Sequence, residues 1–220
     1  MTDFTLARRN MIDGQLRPNR VNNAQLLAAI ADLPRERFLP AGLRSVAYAD
    51  DDVPLGNGRC LMEPMVLARL IQTLQPQPED KALVVASGPG YGTALLARLV
   101  KSVVAVEADT GLAGSAEQTI RQLGIANVRH VIGKMEDGHA GEGPYDVILI
   151  EGAVQHVPAA IVGQLAEGGR LGTVIAAASA GVLGVAQLMV KEGGIASGRP
   201  IFDAGTPALP GFAPPPRFTF

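Results

Sequence analysis

The sequence predicts an α/β protein built on a doubly wound, mostly parallel sheet, with a helical segment ahead of it. Three observations carry that prediction. Short apolar runs, too brief for buried helices, recur at Ala82–Val85, Val103–Val106, Val128–Ile132 and Val147–Ile150. Helix-periodic stretches and glycine or proline turns separate them, which is the alternation of parallel βαβ units. Near the C-terminus two further runs, Leu183–Lys191 and Ser197–Asp203, flank Glu192-Gly193-Gly194, a hairpin signal that reverses a strand at the end of the sheet.

The elements follow in order. Arg8–Leu16 and Asn23–Leu33 carry apolar residues at helical spacing, the second opened by Asn22 or Asn23 as a cap and stopped by Pro34. A connector, Arg35–Pro40, and a short helix to Val46 precede Tyr48–Pro64, an acidic, glycine-bearing stretch that reads as irregular covering loop. Helix resumes at Met65–Leu74, and Pro76–Asp80 leads into the first strand. After Glu107, Asp109 or Thr110 caps a helix to Leu123; a third strand, the loop Gly133–Pro144, a fourth strand, a helix Ala159–Leu165 and a fifth strand Arg170–Ile175 come next. The tail is proline-rich and extended, with its phenylalanines docking on the surface. The expected division is 1–78 as helical segment and covering loop, 79–205 as core and 206–220 as tail.

Composition narrows the function. The chain has 220 residues, 47% of them hydrophobic, which is enough for one sizeable core. A net charge of −2 without long single-sign blocks argues against a nucleic-acid partner. One cysteine, Cys60, suits a reducing compartment, and the start MTDFTLARRN has no signal-peptide core, so the protein is expected in the cytoplasm. Leu171–Val190 is free of charge over a membrane-spanning length. Its small residues, Gln187 and the Ser179-Ala180-Gly181 break favour two buried strands over a span. No cluster has metal-ligand spacing.

Ligands of open α/β sheets lie beyond the carboxyl ends of the strands. That brings together Ala86–Gly92, Glu107–Asp109, Gly133–Asp137 and Glu151–His156. Glycines at the first turn admit a ligand to the backbone, and an acid closing the second strand can accept both hydroxyls of a ribose. Gly88-Pro89-Gly90-Tyr91-Gly92 with Glu107 therefore points to a nucleoside-containing cofactor. Thr93 stands where the dinucleotide pattern would have its last glycine, which disfavours a nicotinamide enzyme.

With these residues in view, the chain from Arg8 to Leu171 resembles the protein L-isoaspartate O-methyltransferase family. The matching pieces are Tyr48-Ala49-Asp50, Pro54-Leu55-Gly56-Asn57-Gly58 and Pro64, then Gly88-Pro89-Gly90-Tyr91 and Glu107. Leu123-Gly124, Asn127-Val128, Pro144-Tyr145-Asp146, Val157-Pro158 to Leu165, and Glu167-Gly168-Gly169-Arg170-Leu171 continue them in order. The resemblance implies a seven-stranded, Rossmann-like methyltransferase sheet with a reversed last strand, S-adenosylmethionine as donor, and a protein or peptide carboxylate as acceptor. It implies a donor site of Ser87, Gly88, Pro89, Gly90, Glu107, Ala108, Met135, Glu136 and Glu151, with Arg59 and Met62 in the substrate loop. Such chemistry needs few acid–base residues: the sulfonium is already an electrophile, and a carboxylate is ionised at neutral pH.

Several positions depart from the family pattern. Val84 and Ala86 stand where an acid precedes the first glycine, and Gly133-Lys134 replaces Gly-Asp, so the adenine amine meets a donor-only lysine. Glu136 or Asp137 either substitutes or is plain surface charge. Leu61-Met62-Glu63-Pro64 replaces Ile-Ser-x-Pro, removing a hydroxyl, and Arg59 and Cys60 replace glutamine and threonine. Arg59 either binds a substrate carboxylate or is a solvated loop residue. Glu151 either faces the site or caps the turn after it. The leading expectation is a methyltransferase of this family with weakened donor binding. The alternative is a catalytically silent descendant keeping the fold for binding.

Overall fold

The computed structural model describes residues 3–179 and 182–212. Ala180 and Gly181 of the expected turn, and the tail phenylalanines Phe218 and Phe220, lie outside them.

Helices α1 (Phe4–Met11) and α2 (Ala24–Asp32) open the chain, α1 widening into a π-helical turn, Ile12–Leu16. Both are capped as their sequences ask: Asp3 accepts from Thr5 and Leu6 N–H, and Asn23 accepts from Leu26 N–H at 2.9 Å. Asn23→Ala is expected to cost about 1 kcal/mol in urea unfolding, with Asn23→Asp close to the natural chain. Equal midpoints for all three proteins would show that the cap carries no weight.

Two strands, β1 (Val53–Gly56) and β2 (Arg59–Leu61), follow as a hairpin where the sequence reading expected irregular loop. Asn57 and Gly58 at φ +52° and +70° make its tight turn, the conformation that an Asn-Gly pair adopts most readily between antiparallel strands. Helix α3 (Pro64–Leu74) then docks the N-terminal segment: Gln72 accepts from Asn22 and Asn23 N–H and donates to the Arg20 carbonyl.

The main sheet comprises β3 (Lys81–Val85), β4 (Ser102–Glu107), β5 (Val128–Ile132), β6 (Tyr145–Val154), β7 (Leu165–Ile175), β8 (Gly184–Glu192) and β9 (Ile195–Ala204). Their order is β5-β4-β3-β6-β7-β8-β9, parallel from β5 to β7. The expected reversal falls on β8, which is antiparallel to both neighbours, so β9 runs with the parallel set. The charge-free stretch after Leu171 is β7 and β8, and no described helix is long and apolar enough to cross a membrane.

Alternation along the strands divides the core. Ala82, Val84, Val103 and Val147 face α1 to α3 together with α4 (Tyr91–Ala97) and α5 (Thr110–Gln122). Leu83, Val85, Val104 and Ile148 face the other side. That side has thin helical cover: single turns at Met135–Asp137 and Ala140–Glu142, and the four-residue α6 (Ala159–Val162) in place of the longer helix expected to Leu165. Leu209 and Phe212 from the tail complete it. Their segment is pinned to β6, since Ala153 donates to the Pro207 carbonyl and Leu209 N–H to the Ala153 carbonyl at 2.7 Å.

Candidate active site

The strand order reverses direction at β3, between β4 and β6, and the crevice beyond the carboxyl ends there is the natural ligand position. The turn after β3 begins at Ala86, held at φ +57°, a left-handed conformation that costs a non-glycine residue about 1 kcal/mol. Ser87, Gly88, Pro89 and Gly90 are all buried behind it. Glu107 ends β4 and is 1% exposed. Its Oε2 accepts from Gly88 N–H at 2.8 Å, and its Oε1 from Ala108 and Asp109 N–H at 2.9 and 3.1 Å. The sequence thus brings the glycine turn and the acid together.

Arg59 completes the arrangement in a way the sequence did not suggest. Because β2 alternates, Arg59 and Leu61 turn inward while Cys60 is half exposed. The Arg59 Nη1 donates to Glu107 Oε1 at 2.6 Å and to Met135 Sδ at 3.3 Å, and Nη2 donates to the Ala86 carbonyl at 2.9 Å. With Arg59 5% exposed, neither expectation for it holds: it is not solvated, and its charge is spent on Glu107 instead of being offered to a substrate carboxylate. Met62 is buried as well. It is 1% exposed within the core under the N-terminal helices, and its carbonyl accepts from Arg35.

Glu151 is not a loop residue, because β6 continues to Val154. Its carboxyl packs so closely against helix α4 that a Cβ on Gly92 would sit 2.6 Å from Oε2. Neither oxygen has a hydrogen-bond partner of normal geometry. Burial pushes this carboxyl up to about 8, against the opposing pull of Arg59 and Arg35, so it carries its proton at neutral pH. Burial likewise pushes the Cys60 thiol up to about 12, which removes it as a nucleophile. Met135 is buried against Arg59, Glu136 is half-buried beside Gly211 of the tail, and Ala108 is exposed. Among the described residues no group of His, Cys, Asp or Glu could hold a metal ion.

Sequence reasoning missed Arg35, and it expected the tail phenylalanines to dock on the surface, whereas Phe212 is 3% exposed within the core. Arg35 is fully buried, donates to the Ala47 and Met62 carbonyls at 2.6 Å each, and lies 4.9 Å from the Tyr91 ring centre. Its signal was faint, an arginine in a short connector. Leu209 had only the apolar spacing of the tail to announce it.

Whether an adenosyl group fits can be asked of Glu107 directly. A ribose diol needs a free carboxylate edge, yet one Glu107 oxygen receives three donors, including the Arg59 guanidinium, and the other holds Gly88. Val84 and Ala86 are wholly buried apolar groups where a donor's ammonium would want an acid. As arranged here, Oε2 with its single amide donor can still accept one ribose hydroxyl, while Arg59 stands on the oxygen that the second would use.

The fold and sequence nevertheless have clear relatives. Residues 7–194 match the family described as Protein-L-isoaspartate(D-aspartate) O-methyltransferase. A protein-L-isoaspartate O-methyltransferase of Koribacter versatilis is 39% identical over 171 residues, covering 78% of this chain and 77% of the relative. One from Roseiflexus castenholzii is 40% identical over 169 residues, covering 77% of each. A solved protein-L-isoaspartate O-methyltransferase superimposes with a TM-score of 0.81 at 25% identity, over 93% of this chain and 67% of that one. A Plasmodium falciparum structure, described as a putative member in complex with S-adenosyl-L-homocysteine, shares the fold with a TM-score of 0.77 at 20% identity, over 96% of this chain and 100% of that one. The chain belongs to the protein-L-isoaspartate(D-aspartate) O-methyltransferase family.

Proposed function

We propose that this protein is an S-adenosylmethionine-dependent methyltransferase that esterifies isoaspartyl carboxylates of damaged proteins, as a repair enzyme of the cytoplasm. The observation that supports it most is the pairing of the Gly88 turn with Glu107 at the strand-order reversal, in a chain nearly 40% identical to its enzyme relatives. That kinship does not favour a fold kept for binding alone.

The donor, when bound, supplies an electrophilic methyl group. What this chain contributes is position and dryness. The amides of Gly88, Ala108 and Asp109 hold the Glu107 carboxyl in place at the end of β4. The β1–β2 hairpin lies over the crevice through Arg59 on Glu107 and the Ala86 carbonyl, and limits the water that reaches it from that side. A protonated Glu151 closes the floor without adding a competing negative charge.

The test is methyl-ester formation on a peptide carrying one isoaspartyl residue, compared with the aspartyl isomer. Base-labile label on the isoaspartyl peptide alone is expected. Failure to label it at saturating donor, with a folded protein, would remove isoaspartyl carboxylate as the substrate.

A further inference from the structure

Two parts of the chain come up to the crevice beyond β3 and β4, the hairpin through Arg59 and the tail through Gly211 beside Glu136. The Arg59 guanidinium sits on Glu107 and the Ala86 carbonyl, and Phe212 is buried in the apolar cluster that holds Ala86, Val106 and Met135. An adenosyl group brings the same two chemistries, hydroxyl donors for the carboxylate and a flat ring for the apolar wall. Both parts ride on elements with few ties to the sheet. Among the described residues the β1–β2 hairpin pairs with no other strand, and the backbone bonds of the tail to β6 are those at Ala153. They also meet each other: a Cβ on Gly58 at the hairpin tip would lie 3.5 Å from Pro210.

The remaining contacts show that this occupancy is removable. If Arg59 leaves, Glu107 keeps the amides of Gly88, Ala108 and Asp109 and stays in place. Arg59 itself is held incompletely, because its Nε is buried without a partner.

We propose that Arg59 and Phe212 form an internal plug of the donor site, and that S-adenosylmethionine or its product binds only by displacing both. The inference rests on the reading of the chain as an S-adenosylmethionine-dependent enzyme. It adds that the hairpin and tail compete with the donor, so apparent affinity is reduced by the fraction of molecules that are closed.

The experiment is calorimetric titration of S-adenosylhomocysteine into the full chain and into Arg59→Gln, Phe212→Ala and the double variant, each checked for cooperative melting. Arg59→Gln is expected to tighten binding about tenfold or more, Phe212→Ala by less, and the double variant by the most. A second readout uses the natural chain alone. At saturating S-adenosylhomocysteine the Leu209 amide, now bonded to Ala153, exchanges with solvent faster. Folded variants that bind no tighter than the natural chain overturn the plug, as does a Leu209 amide equally protected with ligand bound. Isoaspartyl methylation by the same proteins separates the two ideas. Tighter binding without any labelling keeps the plug and removes the substrate; labelling with unchanged affinity keeps the substrate and removes the plug.

Discussion

Between about pH 5 and pH 8 Glu151 is expected to make the natural chain lose stability as pH rises, and Glu151→Gln to lose much less. Glu151 is buried against Gly92, and burial raises its pKa in the folded chain to about 8 from an ordinary 4.5. Below the unfolded value the acid is protonated in both states, and folding is not penalised. As pH climbs past that value the unfolded chain releases the proton while the folded chain retains it, so stability falls by roughly 1.4 kcal/mol per pH unit from this group. The fall ends when pH passes the folded value and the buried group ionises as well. Across the window the loss is about 4 kcal/mol. Asp52 and Glu63 are also raised, chiefly by burial, and tilt the natural chain and the variant alike in the same direction. The difference between the two proteins therefore isolates Glu151. Urea midpoints at three pH values give the slopes, and parallel slopes would falsify the assignment of a proton to this carboxyl.

Glu107→Ala is expected to cost about 3–5 kcal/mol at neutral pH, because it strands the Arg59 guanidinium in a buried site without its anion. The Gly88 amide loses its acceptor in the same step. Replacing both partners, as Glu107→Gln with Arg59→Met, should recover most of the loss, since the cost lies in the unpaired charge more than in the absent bond. The measurement is a double-mutant cycle in denaturant. A Glu107→Ala loss below about 1 kcal/mol would mean that Arg59 escapes to solvent when its partner is gone, as the pairs at a protein surface do.

How far the sequence reached depends on whether the deciding contact was local. Strands β3, β4 and β5 were legible because each is an unbroken apolar run, and α5 because Asp109 caps it two and three residues on. The β8–β9 hairpin was legible from Gly193 and Gly194, both at positive φ. The β1–β2 hairpin carried an equally local signal, Asn57-Gly58, and was passed over because acidic residues ahead of it read as loop. The extension of β6 was hidden by Gly152, whose φ of +156° lets the strand continue beneath the Leu209 side chain. Arg59 and Glu107 are a different matter. They are 48 residues apart in sequence, and no spacing rule joins an arginine in one hairpin to the last residue of a distant strand. The site's composition was legible; its occupancy was tertiary.

The reversal at β8 has a consequence for how copies of the chain meet. It leaves β9 on the rim of the sheet, where a free row of backbone groups would invite another molecule to add a strand. Pro200 lies in that rim and has no N–H to give, and Arg199 beside it is exposed. The register also slips between Ala186 and Gln187, breaking the straight edge that a stacking neighbour needs. The last strand therefore ends the sheet on a rim that offers a stacking neighbour a broken row of donors.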